Sequence, residues 1–273
     1  MSKRFLLTLG MFTLMGVTAC AGAETDVSSL IDATLIATHR SNNNKARDLY
    51  RHPKETLLFF GFKADQTVVE MTPGAGWYTE VIATVLRAQG AYVAAVNKVG
   101  DKAPEEMRAR DIAFRKSLTD RPDLYDRVQI SVSTPPDSFP MAPAGTADLV
   151  LTFRNVHNWA RAGTVDSIFK AFFATLKPGG TLGVVEHRAK EGTSVELMIK
   201  TGYMTEAYVI DAAKKAGFIF AVKSEINANP RDSKDYPDGV WTLPPTLQLG
   251  EKDREKYLAI GESDRMTLRF TKP

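Results

Sequence analysis

Short, uncharged or nearly uncharged runs rich in β-branched residues recur along this chain from Thr67 onward, separated by longer stretches with apolar residues at helical spacing. The runs at 67–71, 92–96, 128–132, 148–153 and 181–185 predict strands. The stretches 78–86, 101–118, 165–176 and 205–216 predict the helices between them, with Gly217 ending the last one. Segments 218–226 and 266–270 predict an antiparallel closing pair. Strands that alternate with helices, without an internal repeat, argue for a doubly wound, mostly parallel, Rossmann-like α/β sheet with an antiparallel closing strand.

Two segments fall outside this alternation. Ahead of the first strand, a helix over 26–38 with Asp26 or Ser28 as N-cap is followed by the polar break 41–44. A second helix over 45–60 then packs Leu49, Leu57, Leu58 and Phe60 on the domain. Between the closing strands lies a connection over 227–263, carrying Tyr236-Pro237-Asp238-Gly239 and Trp241-Thr242-Leu243-Pro244-Pro245. A connection of that length in a compact domain is usually functional or mobile. The expected organisation is a leader over 1–23, a helical arm over 24–66 and a domain over 67–273 with the insertion at 227–263.

The first 20 residues have a basic start, Lys3 and Arg4, then an apolar stretch from Phe5 to Val17 without a charge. This has the length and order of an export signal and is short for a membrane span. Val17-Thr18-Ala19-Cys20 fits a bacterial lipobox, which would make Cys20 an acylated N-terminus. Ala21-Gly22-Ala23 fits ordinary cleavage after Ala23. The expected location is the periplasm, as an outer-membrane lipoprotein or as a soluble protein. Cys20 is the only cysteine, so no internal disulfide can form. With the leader's two basic residues removed, 33 basic residues face 32 acidic ones. That balance offers nucleic acid no electrostatic footing; the expected partner is a small molecule or an envelope component, with membrane contact confined to the N-terminus.

The chemistry-bearing stretch is Glu70-Met71-Thr72-Pro73-Gly74-Ala75-Gly76-Trp77-Tyr78-Thr79. A strand that ends in an acid, turns through two glycines and re-enters as a helix makes a nucleotide-sized pocket. The glycines let backbone approach a ligand closely, and free N–H groups at the helix start face it. Two glycines in a βα turn also occur for structural reasons alone. What adds weight is that Asn97, the segment Phe153 to Trp159 and Glu186-His187-Arg188 also fall at carboxyl ends of strands, where doubly wound sheets bind ligands.

These residues, with Arg47-Asp48-Leu49-Tyr50-Arg51-His52-Pro53, Phe59-Phe60-Gly61, Asn155-Val156-His157-Asn158 and Leu176-Lys177-Pro178-Gly179-Gly180, resemble the class I S-adenosylmethionine-dependent methyltransferases. The resemblance is closest to a bacterial family of predicted methyltransferases with N-terminal export signals. It implies a methyltransferase sheet and S-adenosylmethionine as cofactor, lying across Glu70, Gly74, Gly76 and Asn97, with Tyr78 near the pocket. The pattern differs in three places. Thr72 stands where the first motif glycine belongs, Asn97 replaces the acid that holds the ribose, and Ser131, Ser133 and Thr134 precede a late Asp137 where an acid meets the adenine.

Asn155 and His157 are the expected acceptor-side catalytic residues, since an imidazole titrates near neutrality and can deprotonate an acceptor. Each also has a plain reading as a hydrogen-bonded loop residue. Glu186 and His187 are consecutive in a strand and should point to opposite faces, so no metal site is expected. A competing function is a non-catalytic envelope binding protein on the same fold.

Overall fold

The computed structural model describes residues 26–134 and 139–273. The leader with Cys20, and Asp137, lie outside them. Seven strands form one sheet: β1 (Thr67–Met71), β2 (Ala91–Asn97), β3 (Gln129–Ser133), β4 (Ala147–Phe153), β5 (Leu176–His187), β6 (Ile219–Ser224) and β7 (Arg265–Thr271). Their spatial order is 3-2-1-4-5-7-6. The first five run parallel, and β7 is antiparallel to both β5 and β6. The order reverses between β1 and β4, which makes their carboxyl ends the switch point where such sheets leave a crevice.

Helices cover both faces. On the arm are α1 (Val27–Ile36), α2 (Asn42–Lys45), α3 (Asp48–Arg51) and α4 (Pro53–Phe59). The crossovers are α5 (Thr79–Leu86), α6 (Glu105–Thr119), α7 (Pro122–Tyr125), α8 (Val156–Ala162), α9 (Val165–Thr175), α10 (Val195–Thr201) and α11 (Glu206–Lys215). The insertion carries a single 3-10 turn over Gly239–Thr242 and α12 (Arg254–Ile260). No helix among the described residues is long and apolar enough to cross a membrane. Asp26 caps α1, its carboxylate accepting from the Ser28 N–H. Thr205 caps α11 in the same way through the Tyr208 N–H, satisfying donors that a helix start leaves free.

The single helix expected over 45–60 is broken into three pieces. His52 takes the left-handed conformation, φ 40°, between α3 and α4. It precedes Pro53, whose ring disfavours helical backbone at the residue before it. The break rotates Leu49 outward to 62% exposure and leaves Leu58 on the surface, while Leu57 and Phe60 are buried.

The arm does not form a layer of its own. Ile31, Leu57, Phe60 and Phe62 share one buried cluster with Val68, Val81, Ile82, Leu149 and Leu151 on one face of the sheet. The opposite face is closed by Phe169, Phe172, Val209 and Phe218 over Val69, Val150 and Leu182. The expected boundary at residue 66 is therefore not a packing boundary.

Candidate active site at the carboxyl ends of the strands

The β1–α5 turn takes positive φ at three alternating positions. Thr72, Gly74 and Gly76 have φ of 57°, 64° and 81°. Thr72 thus holds a left-handed backbone, a conformation that is costly for a β-branched residue. Around Gly74 nothing lies within 4 Å of where a Cβ would sit, so the backbone there is open to close approach. Gly76 differs, because a Cβ there would meet the Phe114 ring at 3.1 Å. Its missing side chain is used at least in part by packing, and a valine at Gly76 would disturb the fold as well as any ligand. A cleft of about 250 Å³ opens beside the turn, lined in part by Ala75, Gly76, Thr79 and Phe114.

Glu70 is buried under the turn. Its Oε2 accepts from the Tyr92 hydroxyl at 2.5 Å and the Thr79 hydroxyl at 3.4 Å. Burial pushes its carboxyl up to about 7, against the pull of those two hydroxyls. Tyr78, expected at the pocket, is 4% exposed and stacked on Phe153 with centroids 3.5 Å apart. Its hydroxyl donates to the Arg51 carbonyl at 3.3 Å, and burial raises its pKa to about 12. It clamps the turn onto β4 and the arm. The neighbouring Trp77 donates Nε1 to the Asn44 carbonyl under the Arg51 guanidinium.

Two buried oxygens at the switch point have no partner: Oγ1 of Thr72 at the end of β1 and Oδ1 of Asn97 at the end of β2. Buried polar atoms are nearly always paired, so two orphans on adjacent strand ends invite a polar ligand. At the end of β3, the Ser131 and Ser133 hydroxyls both donate to the Pro140 carbonyl, at 2.5 and 3.4 Å.

Asn155 is 7% exposed, and its Nδ2 reaches the carbonyls of Met71 (3.1 Å) and Thr72 (3.2 Å) and the Thr152 hydroxyl (3.1 Å). This amide fastens the end of β4 to the turn. His157 lies in the first turn of α8, not in a loop. Glu186, 0% exposed at the end of β5, receives the His157 backbone N–H at Oε2 (3.3 Å) and faces its Nδ1 through Oε1 (3.1 Å). The His157 tautomer with its proton on Nδ1 donates to this carboxylate and leaves the lone pair on Nε2.

The expected divergence of Glu186 and His187 is overturned. The Glu186 side chain folds back so that Oε1 accepts from the His187 backbone N–H at 2.8 Å. Ligand atoms of His157, Glu186 and His187 then lie within 4.8 Å of one another. Burial, followed by repulsion from His157, Arg265, Arg154 and Arg51, holds the His187 pKa well below its usual value. The arginine charges oppose a divalent cation on the trio, although three ligand atoms are in place.

The insertion closes this rim. Trp241 meets the His157 ring edge-on at 6.0 Å, with Arg161 over its other side. Ser263 lies 2.5 Å from His187 Nδ1. Glu262 takes the arginines Arg47, Arg51 and Arg265. Sequence pattern marked the insertion as functional or mobile, but not which of its residues reach the site.

No protein-family model and no curated protein sequence matches this chain. Solved structures do match in fold. A SAM-dependent methyltransferase from Aquifex aeolicus superposes with a TM-score of 0.54 at 16% identity, over 91% of this chain and 99% of that one. Geranyl diphosphate C-methyltransferase from Streptomyces coelicolor, solved with Mg2+, geranyl diphosphate and S-adenosyl-L-homocysteine, gives 0.54 at 12% identity, over 88% of each chain. The cyclase SpnF gives 0.57 at 15% identity, over 90% of this chain and 93% of that one. The chain therefore has the seven-stranded Rossmann-like fold found in S-adenosylmethionine-dependent methyltransferases, which SpnF shows can serve other chemistry.

Proposed function

We propose that this chain is an S-adenosylmethionine-dependent methyltransferase in which His157, held by Glu186, deprotonates the acceptor. The observation that carries the reading is the conjunction at one rim of an oriented carboxylate–imidazole pair and two unpartnered buried oxygens on the ends of β1 and β2.

The residues present suit the cofactor at its amino-acid and ribose ends. Gly74 leaves its backbone open, Thr72 Oγ1 can meet a donor, and Asn97 Oδ1 can accept a ribose hydroxyl. When bound, S-adenosylmethionine supplies an electrophilic methyl group, and alignment contributes most of the rate of such a displacement. Alignment here falls to Asn155, which ties the β4 end to the turn, and to Tyr78, which ties the turn to the arm. His157 Nε2 takes the acceptor's proton, and Glu186 stabilises the imidazolium that results. Trp241 and the insertion keep water from the rim.

Isothermal titration of the purified chain with S-adenosylhomocysteine tests the reading, and Asn97→Asp sharpens it. A hydrogen bond to a charged group contributes about 1.5–3 kcal/mol against about 1 for a neutral one. The aspartate should therefore tighten binding several-fold while lowering the unfolding temperature of the free protein, in which its carboxylate lacks a partner. Binding of neither S-adenosylhomocysteine nor S-adenosylmethionine at millimolar concentration would sink the enzyme reading. The alternative, a non-turning-over binding protein, draws support from the serine hydroxyls committed to Pro140 on the adenine side, and predicts ligand binding without turnover.

The acceptor, on this reading, belongs to the cell envelope, and the chain reaches it through its leader, anchored at an acylated Cys20 or released after Ala23. Labelled palmitate entering the wild type but not Cys20→Ser supports the anchor. A mature N-terminus at Glu24 supports release.

A further inference from the structure

The arm stretch Arg47-Asp48-Leu49-Tyr50-Arg51-His52-Pro53 takes no part in the chemistry above, yet its two arginines end at the same rim. Arg47 and Arg51 both reach Glu262, the latter through Nε at 3.5 Å. Arg265, at the start of β7, pairs with the same carboxylate and donates Nη1 to the Tyr50 carbonyl at 3.1 Å. Arg154 enters from the end of β4 on a left-handed backbone, φ 61°. It is within electrostatic reach of Arg265, Glu262 and Arg47 and forms no ion pair among the described residues.

Three guanidinium groups thus pair with one carboxylate, and a fourth, Arg154, lies within electrostatic reach without pairing. Arg51 and Arg265 are 3% and 2% exposed. Three guanidinium nitrogens are buried without a partner: Nη2 of Arg47, Nη1 of Arg51 and Nε of Arg265. Leaving a buried charged donor unpaired is costly, and like charges at low dielectric repel strongly. Both effects register in Arg51, whose pKa is held well down by burial and then by Arg154, and in Arg154, brought down to about 10 by burial and then by Arg265. Left-handed backbone at a long side chain is itself a cost that functional sites retain.

The geometry points to an oxyanion site, in which Arg51, Arg154 and Arg265, with Arg47 beside them, hold a carboxylate or phosphate group of the methyl acceptor. This rests on the methyl-transfer reading and adds the acceptor's chemical class. Planar guanidinium forks suit the two or three oxygens of such a group. The site borders His187 and so His157, whose ring centroids are 5.4 Å apart. A bound anion there fixes the acceptor next to the base. The cofactor itself is a poor occupant, because its sulfonium and ammonium outweigh its one carboxylate and leave it cationic.

The test titrates the full chain with inorganic phosphate, malonate, S-adenosylhomocysteine and methylthioadenosine, in the wild type, Arg154→Gln and Arg154→Lys. Arg154 has no carboxylate partner, so replacing it strands no charge and the fold should hold. The site is supported if phosphate or malonate binds the wild type and Arg154→Gln weakens it about tenfold or more, with Arg154→Lys between them and S-adenosylhomocysteine unchanged. The tighter of the two anions names the acceptor's group. If neither anion binds, or both bind Arg154→Gln as well as the wild type, the site is overturned. It is also overturned if Arg154→Gln weakens S-adenosylhomocysteine but not methylthioadenosine, since the cluster would then serve the cofactor's carboxylate. Oxyanion binding through Arg154 without any S-adenosylhomocysteine binding keeps the site and removes the methyl-transfer reading.

Discussion

Glu70 shows how far a residue's surroundings can alter the role its position suggests. An acid at the end of the first strand invites an ammonium partner, but this carboxyl is enclosed by Tyr92 and Thr79 and titrates at about 7 rather than 4.5. Its folded-state value lies above the unfolded one, so between pH 4.5 and 7 the folded state binds more protons than the unfolded one. The stability this contributes is fully present below pH 4.5 and is lost as pH rises through about 7. Glu70→Gln should flatten the pH dependence of the unfolding temperature in that window. Above pH 8 it should stabilise the protein by on the order of 2–3 kcal/mol. Thermal melts from pH 4.5 to 8.5 decide the matter, and parallel curves for the two proteins would show that Glu70 is not neutral in the fold. Thr72 carries the complementary lesson: it holds, at φ 57°, a left-handed backbone that a β-branched residue rarely adopts.

Elements differ in how openly the sequence declares them. Uncharged β-branched runs placed the strands of the central sheet within a few residues, because a strand buried on both faces has little room for polar side chains. The His157–Glu186 pair was less legible. Helix α8 begins at Asn155-Val156-His157-Asn158, whose polar side chains hide its start, and its N-terminal donors are met by Glu186 from another strand. Strand alternation separated Glu186 from His187, but a side chain that folds back onto its neighbour's amide is not bound by that rule. The arm's docking was half legible, since Phe60-Gly61 signalled a contact without naming its partner. That partner is Gly183 in β5, where a Cβ would lie 2.7 Å from the Phe60 ring and from Leu151. Gly183→Ala should therefore cost about 1–3 kcal/mol by overpacking, read from urea unfolding. A loss below half a kilocalorie would mean that α4 shifts freely on the sheet.

At the scale of the whole molecule, one carboxylate joins parts that lie far apart in the chain. Glu262, at the end of the insertion, pairs with Arg47 and Arg51 from the arm and with Arg265 on the closing strand. Burial pushes its carboxyl up, but Arg265, Arg51 and Arg47 together outweigh that and hold it well below the usual range. A depressed folded-state value means that the stability it contributes is present above the unfolded value of 4.5 and is lost as pH falls below it. The arm, the insertion and the sheet should accordingly unfold as one unit at neutral pH, consistent with the core they share. Glu262→Gln leaves two buried guanidinium groups, Arg51 and Arg265, and the half-buried Arg47 without their counter-charge and should cost about 3–5 kcal/mol at pH 7. The difference from the wild type should shrink in acid, where the unfolded wild type takes up a proton that the depressed folded-state carboxyl does not. Urea unfolding at pH 7 and pH 3.5, followed by far-UV circular dichroism and by tryptophan fluorescence, measures both effects. Coincident transitions in the wild type and a destabilisation that fades in acid are expected. A mutant as stable as the wild type at pH 7 would mean that the arginines do not depend on Glu262, and that the arm is held by Phe60 and its apolar neighbours alone.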